Sequence, residues 1–356
     1  MESAMIRMTP GIGLVLLLFA IGAAGAEDGV VPCEGRNGIE PVCGLSAPED
    51  IVAAPDGEGL VFGQMHEPGG LFLLDTADHS VQTLYRSREQ DNPEWGEAAC
   101  SQPPATLLAH GIDLRRRADG RWQLLVVNHG GRESVEFYEW LPGAGGSQVA
   151  WRGCVEAPED ASLNDVAGLP DGGFLVTRMA SVGSPMWELF LAVIGIDNGV
   201  VYRWSPAAGY AELPETEGRF PNGIILSPAG DSFFVNMYFG NKVAKYSLPE
   251  GELLGEVSVS KPDNASWNAE GKLLVASQYG SLMQLFDSLN LPHGTPSLLP
   301  YAVVEIDPDT LARRELLWHE GAPMGAGTVA VQVDDAVYVG SYTGDRLVRV
   351  PLKPAS

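Results

Sequence analysis

Six times along this chain a short apolar run meets a Gly/Asp-rich turn, and a second β-rich run follows. Ile51-Val52-Ala53-Ala54 leads into Pro55-Asp56-Gly57, Gly111-Ile112-Asp113-Leu114 into Ala118-Asp119-Gly120, and Val166-Ala167-Gly168-Leu169 into Pro170-Asp171-Gly172. Ile224-Ile225-Leu226-Ser227 leads into Pro228-Ala229-Gly230, Ala265-Ser266-Trp267 into Ala269-Glu270-Gly271, and Thr328-Val329-Ala330-Val331 into Asp334-Asp335. The second runs are 59–63, 122–128, 173–177, 232–237, 272–277 and 336–340. Each unit reads as strand, hairpin turn, strand. Further strands follow in most units, for example 134–140 and 242–248.

Units that start at residues 49, 110, 164, 222, 264 and 327 are spaced by 61, 54, 58, 42 and 63 residues. Four-stranded repeats of that length are propeller blades. The sequence therefore predicts an all-β fold, one six-bladed β-propeller of four-stranded blades around a central metal-binding channel, over residues 45–352. Length alone suggests two domains at roughly 150 residues each, but a propeller is one domain at any length. The 43 Gly and 26 Pro suit many short elements joined by turns. Strands near the end, such as 346–352, are expected to pair with strands from the N-terminal side and close the ring. Irregular insertions fall at 85–109, 179–199 and 287–299. The apolar stretch 181–196 reads equally as a short helix over one rim or as a packed loop.

Residues 1–26 have the form of a secretory signal: Arg7, an apolar run over 11–22, and Ala24-Gly25-Ala26 as the cleavage site. The mature chain is expected to begin near Glu27, with 27–44 an N-terminal extension, no stable membrane span after signal removal, and a periplasmic or secreted location. The alternative is a retained anchor helix. Four cysteines lie beyond the signal, at 33, 43, 100 and 154, and an even count in an exported chain suggests disulfides. Of three possible pairings, Cys33–Cys43 and Cys100–Cys154 are favoured. The net charge of −24 repels phosphate, which argues against nucleic acid and anionic lipid as partners and favours cations.

In a propeller the first strand of each blade lines the channel, so the residues at its leading end converge. Those positions read Glu49-Asp50, His110, Asn164-Asp165, Asn222 and Asp263-Asn264; the sixth offers only Gly327-Thr328. Asn and Asp often cap turns, which explains any one of these but not five at one phase. The set is rich in oxygen and free of thiolate, which suits calcium. Buried carboxylates without a basic neighbour repel one another unless a cation is present. Asp50 and Asp165 follow immediately in their strands and are expected to point away or deeper, where they could hold a second ion further down the channel. His110 faces the same channel, and His129 closes the adjacent strand, so the pair can act as base and orienting partner. His66, His79, His293 and His319 lack this phase and read as surface or loop. Asn264-Ala265-Ser266 matches a glycosylation sequon by chance if Asn264 faces the channel. No G-x-S-x-G, H-E-x-x-H, Walker A motif, strand-following G-x-G-x-x-G or C-x-x-C occurs.

The segments Pro48-Glu49-Asp50-Ile51, His110-Gly111-Ile112, Leu125-Val126-Val127-Asn128-His129, Leu163-Asn164-Asp165-Val166, Pro221-Asn222-Gly223-Ile224 and Asp263-Asn264 together resemble the paraoxonase/arylesterase family. That family lies within the wider gluconolactonase, senescence-marker-protein and strictosidine-synthase-like six-bladed propellers. The resemblance implies a hydrolase of lactones and aryl esters with two calcium ions in the channel. Glu49, Asn164, Asn222, Asp263 and Asn264 would hold the catalytic ion, Asp50 and Asp165 the structural one, and His110 with His129 would form the histidine dyad. No cysteine follows Cys154, so the disulfide that joins the two termini in the paraoxonase pattern has no counterpart here. The insertion after the third unit also differs, so substrate preference does not carry over. Two functions follow: a calcium-dependent lactonase or arylesterase acting on a small lactone or ester, with Glu49 or Asp263 as alternative bases, or a non-catalytic, calcium-stabilised binding or scaffold propeller. The oligomeric state is not legible.

Overall fold

The six repeats are six four-stranded antiparallel sheets in a computed structural model that describes residues 31–57, 59–85, 91–143 and 146–352. The expected signal segment 1–26 lies outside the described residues. Blade one comprises Ile51–Ala53, Leu60–Gly63, Leu71–Leu74 and Val81–Thr83. Blade two comprises Ala109–Arg116, Trp122–Asn128, Ser134–Leu141 and Gln148–Glu156, and blade three Ala161–Gly168, Phe174–Ser181, Gly199–Ser205 and Gly209–Gly218. Blade four is Pro221–Leu226, Ser232–Met237, Lys242–Ser247 and Leu253–Ser258; blade five is Pro262–Trp267, Leu273–Gln278, Tyr301–Ile306 and Arg313–His319. Blade six takes Gly327–Val333, Ala336–Ser341 and Arg346–Pro351 from the end of the chain and its outer strand, Glu40–Cys43, from the beginning.

Each blade is covered on both faces by its neighbours, which explains why its middle strands are apolar without a break. In blade two, Leu124 and Val126 pack toward blade one with Val61, Leu71 and Trp151. Leu125 and Val127 point the other way, onto Phe174, Val176 and Trp204 of blade three. The two-residue period of a strand thus assigns alternate side chains to different inter-blade layers. Truncating one fully buried Leu in such a layer costs about 2–5 kcal/mol.

Ring closure has three supports. Glu40–Cys43 pairs antiparallel with the last strand, Glu40 opposite Arg349 and Cys43 opposite Arg346. The Cys33–Cys43 disulfide fixes that strand's lead-in. The buried Arg346 guanidinium donates to the carbonyls of Val31 and Pro32, at 2.8 Å each, and pairs with Asp345 at 2.7 Å. Cys100 and Cys154 form the second disulfide, tying the crossover before blade two to that blade's outer strand. The enclosed loop is long enough for about 4 kcal/mol of stabilisation in the entropic account.

Two helices break the β pattern. The insertion after blade three carries α1 (Pro185–Val193), which decides between helix and loop for that stretch. A second helix, α2 (Leu282–Leu289), was not anticipated from the sequence. Its start signal was present: Ser281 and Gln284 form a reciprocal capping box. Its eight residues are too few for periodicity to reveal. Among the described residues no helix is long and apolar enough to cross a membrane.

Candidate functional site

Five of the six inner strands carry a β-bulge at one phase. Ala109 pairs with Asn128 and Ile112 with Val126, so His110 and Gly111 oppose the single residue Val127. In the same way Asn164 and Asp165 oppose Thr177, Asn222 and Gly223 oppose Asn236, Asp263 and Asn264 oppose Ala276, and Thr328 and Val329 oppose Gly340. A bulge releases two residues from the ladder and re-aims their side chains. The channel-facing polar residues are therefore the bulged ones, joined by Glu49 and Asp50 just ahead of the first inner strand. Gly111 and Gly223 complete the pattern, because a Cβ there would collide with the next blade's bulge, at Asp165 and Asp263 respectively.

Glu49, Asn164, Asn222 and Asp263 line one cavity of about 380 Å³ together with His110. Asn264 stands behind them and donates from its amide nitrogen to Glu49 Oε1 at 2.8 Å. Asp50 and Asp165 line a second cavity of about 270 Å³ instead. Adjacent residues thus serve opposite ends of the channel.

Glu49 Oε2 and the amide oxygens of Asn164, Asn222, Asn264 and Asn236 are buried, with no hydrogen-bond partner among the described residues. An orphaned buried acceptor costs about 1–3 kcal/mol, and a cation set among these oxygens would satisfy them. Burial pushes the Glu49 carboxyl well above its ordinary range, and Asp263, Asp50 and Asp165 push it further. Asp263 and Asp165 are raised by burial and then by Asp50, while Asp50 is raised by burial to about 7. Among the described residues no three His, Cys, Asp or Glu side chains converge as metal ligands. The donors here are two carboxylates, Glu49 and Asp263, mixed with neutral amides, a set suited to a hard cation such as calcium.

Asp263 is held from behind. Gln278 Nε2 donates to its Oδ2 at 2.6 Å, and Tyr238 donates its hydroxyl proton to Gln278 Oε1 at 2.7 Å. The Asn236 amide donates to the Asp263 carbonyl. Sequence reasoning missed Asn236, Tyr238 and Gln278 because they lie on second strands or just beyond them, away from the phase that selected the others.

The histidines meet as expected: His110 Nδ1 lies 2.8 Å from His129 Nε2. His129 Nδ1 lies 2.7 Å from Glu133 Oε2, and Glu133 Oε1 accepts the Leu163 backbone N–H at 2.7 Å. A carboxylate only accepts, so His129 Nδ1 carries a proton, and in the neutral ring its Nε2 is the acceptor. His110 must then donate from Nδ1, which leaves its Nε2 bare. That nitrogen faces the Asn164 amide at 3.4 Å and Glu49 Oε1 at 3.9 Å. Burial, and then His129, hold His110 well below the ordinary imidazole range, so it is neutral at pH 7. Glu133 was also missed, although a carboxylate four residues after His129, across a Gly-Gly turn, was a signal in plain view.

Much of the remaining wall of this cavity is apolar, with Met65, Met179, Leu189, Phe220, Phe239 and Leu285, and no Lys or Arg is among the described lining residues. Leu189 comes from α1 and Leu285 from α2, so the two insertions roof the site. His66 and His293 lie in loops, as expected, and both line it, with their rings stacked at 4.4 Å. His319, expected on the surface or in a loop, is instead buried at the end of a blade-five strand, edge-on to Tyr301 and outside this cavity. His79 reaches the Tyr338 hydroxyl.

Fold and site define a six-bladed propeller with an oxygen-lined channel beneath an apolar, helix-roofed pocket. Residues 117–290 match the model of the SMP-30/Gluconolactonase/LRE-like region. That stretch contains six of the nine channel candidates; Glu49, Asp50 and His110 lie before it. Adipocyte plasma membrane-associated protein of Gallus gallus is 25% identical over 219 residues, 58% of this chain and 51% of that protein. The chain thus spans about half the length of the curated relative it matches. The structure of a luciferin-regenerating enzyme superposes with a TM-score of 0.54 at 13% identity, over 89% of this chain and 97% of that one. A provisionally named gluconolactonase gives 0.51 at 14% identity, over 91% and 94%. At such identities the likeness is one of fold.

Proposed function

We propose that this chain is an exported, calcium-dependent hydrolase of lactones or aryl esters, of the paraoxonase/arylesterase kind within its wider propeller group. The observation that carries the reading is the cluster of orphaned oxygens on Glu49, Asn164, Asn222 and Asn264, with a neutral histidine whose bare nitrogen stands beside two of those residues, Glu49 and Asn164. Glu49, Asn164, Asn222, Asp263 and Asn264 would hold the catalytic calcium, and Asp50 with Asp165 a second, structural ion. A bound calcium supplies Lewis acidity at the substrate carbonyl and charge for the developing oxyanion.

His110 Nε2 takes a proton from water as the water oxygen bonds to the carbonyl carbon. The carbonyl–oxygen single bond of the ester or lactone then breaks, and His110 returns the proton to the departing oxygen. His129 stabilises the charged imidazole from behind. The largely apolar walls, with no Lys or Arg among the described lining residues, favour uncharged lactones and esters over phosphorylated ones. The match to a gluconolactonase-type region, and the gluconolactonase name of one similar structure, support lactone chemistry. The two disulfides agree with an oxidising compartment, hence with export to the periplasm or beyond.

The test is turnover of phenyl acetate and a lactone panel by the purified chain, with calcium and with chelator. Activity lost on chelation and regained with calcium is expected. Tight calcium binding without turnover of any of these substrates would replace the hydrolase with a calcium-stabilised binding propeller.

A further inference from the structure

We infer that Glu133 is a positioning residue of this site: it sets the tautomers of both histidines, so that the bare nitrogen of His110 faces the pocket. The inference rests on the hydrolytic reading for its kinetic consequence but not for its structural one.

The geometry leaves Glu133 little freedom. Its Oε1 is committed to the Leu163 backbone N–H, at the entrance to the bulge of blade three, and its Oε2 to His129 Nδ1. One carboxylate therefore links the strand that carries Asn164 to the histidine line. The side chains of His129 and Glu133 are each 22% exposed, whereas that of His110 is 8% exposed. The line runs from the buried base to solvent, and its outer end is the only member bearing a formal negative charge. A carboxylate next to an imidazole N–H fixes its tautomer and orientation and stabilises the imidazolium that forms when the far nitrogen takes a proton.

Glu133→Gln makes the claim sharp. The Leu163 N–H requires an acceptor, so the Gln carbonyl oxygen turns to it and the NH2 faces His129. His129 Nδ1 must then accept, its Nε2 must donate, and His110 Nδ1 becomes the acceptor. The proton of His110 moves to Nε2, and the base facing the pocket is lost with every heavy atom in place.

The experiment is nitrogen NMR of 15N-histidine-labelled, calcium-loaded chain, wild type and Glu133→Gln, with steady-state kinetics alongside. Nδ1–H tautomers are expected for His110 and His129 in the wild type and Nε2–H tautomers in the variant. A kcat loss of about 10²–10⁴-fold with little change in KM is the kinetic counterpart. Glu133→Ala should regain part of its turnover in acetate, because a small carboxylate can reach this half-exposed position; a purely structural role gives no such rescue. Should Glu133→Gln fail to fold, Glu133→Asp keeps a carboxylate and should keep the wild-type tautomers. Unchanged tautomers in folded Glu133→Gln, or, where the wild type turns over, no acetate rescue in folded Glu133→Ala, would overturn the inference. A wild-type chain that hydrolyses nothing defeats the hydrolytic reading alone, because the tautomers still report on Glu133.

Discussion

Glu49 and Asp50 are neighbours in sequence, as are Asn164 and Asp165, yet the two members of each pair have opposite hydrogen-bonding states. Asp50 accepts the N–H of Ile51 in its own blade and of Ile112 in the next, at 2.9 and 2.7 Å. Asp165 likewise accepts from Val166 and from Ile224, each at 2.7 Å. All four carboxylate oxygens have a partner, and the Oδ2 of each residue stitches its inner strand to that of the next blade it contacts. At the other end of the channel Glu49 Oε2 and the Asn164, Asn222 and Asn264 amide oxygens have no partner among the described residues. One end is saturated and holds the ring; the other is left open toward a pocket. A cation would satisfy more unpartnered oxygens at the open end.

The comparison breaks first on turnover. Asn222→Ala or Asp263→Ala should reduce ester and lactone hydrolysis by about 10³-fold or more, the scale of removing an oriented electrostatic group from such a site. Asp165→Asn should leave kcat within severalfold. Equal losses at both ends, measured on folded protein, would erase the distinction.

Calcium removal should lower Tm. A ligand at a thousandfold excess over its Kd contributes about 4 kcal/mol to the folded state. Scanning calorimetry with and without chelator measures it, and the Asn222→Ala variant should show the smaller difference if the open end binds the tighter ion.

Asp165→Asn removes one acceptor for a backbone N–H between blades three and four and should cost about 1–3 kcal/mol in calcium, by urea unfolding. Asn164→Ala should cost less in calcium-free protein, since its oxygen has no partner there to lose.

The smallest effect is a pH drift in the metal-free protein. Asp50 rises from 3.8 to about 7, and Glu49, Asp165 and Asp263 are also raised. A carboxyl with a raised folded-state pKa binds its proton more tightly when folded. Its contribution is complete below the unfolded value near 4 and is lost as pH climbs through the folded one. Calcium-free protein should therefore lose stability between about pH 4 and 7 at these groups, and calcium should flatten the curve. A calcium-free Tm that rises over that range would contradict the burial of unpaired carboxylates.

The order of the blades was legible in the sequence because its signals are local. Each hairpin announces itself by a Gly/Asp turn between two β-rich runs, and most candidate site residues recur at one phase because a bulge sits at the same place in five of the six inner strands. That phase located Glu49, His110, Asn164, Asn222, Asp263 and Asn264 without a view of the fold. Gln278, Tyr238 and Asn236 share no such phase, and their roles depend on which blade stands next to which.

What the chain determined alone was periodicity: where strands begin, which face each residue takes, and which polar residues crowd one end of a strand. Tertiary structure decided everything that depends on a partner far away in sequence. It left Glu49 Oε2 without a hydrogen bond while saturating Asp50 one residue later, brought His66 against His293, set α1 and α2 over the pocket, and joined Glu133 to both His129 and Leu163. Periodicity is written in neighbouring residues. The satisfaction of a buried polar atom depends on all the atoms around it, and in a closed ring those come from every blade.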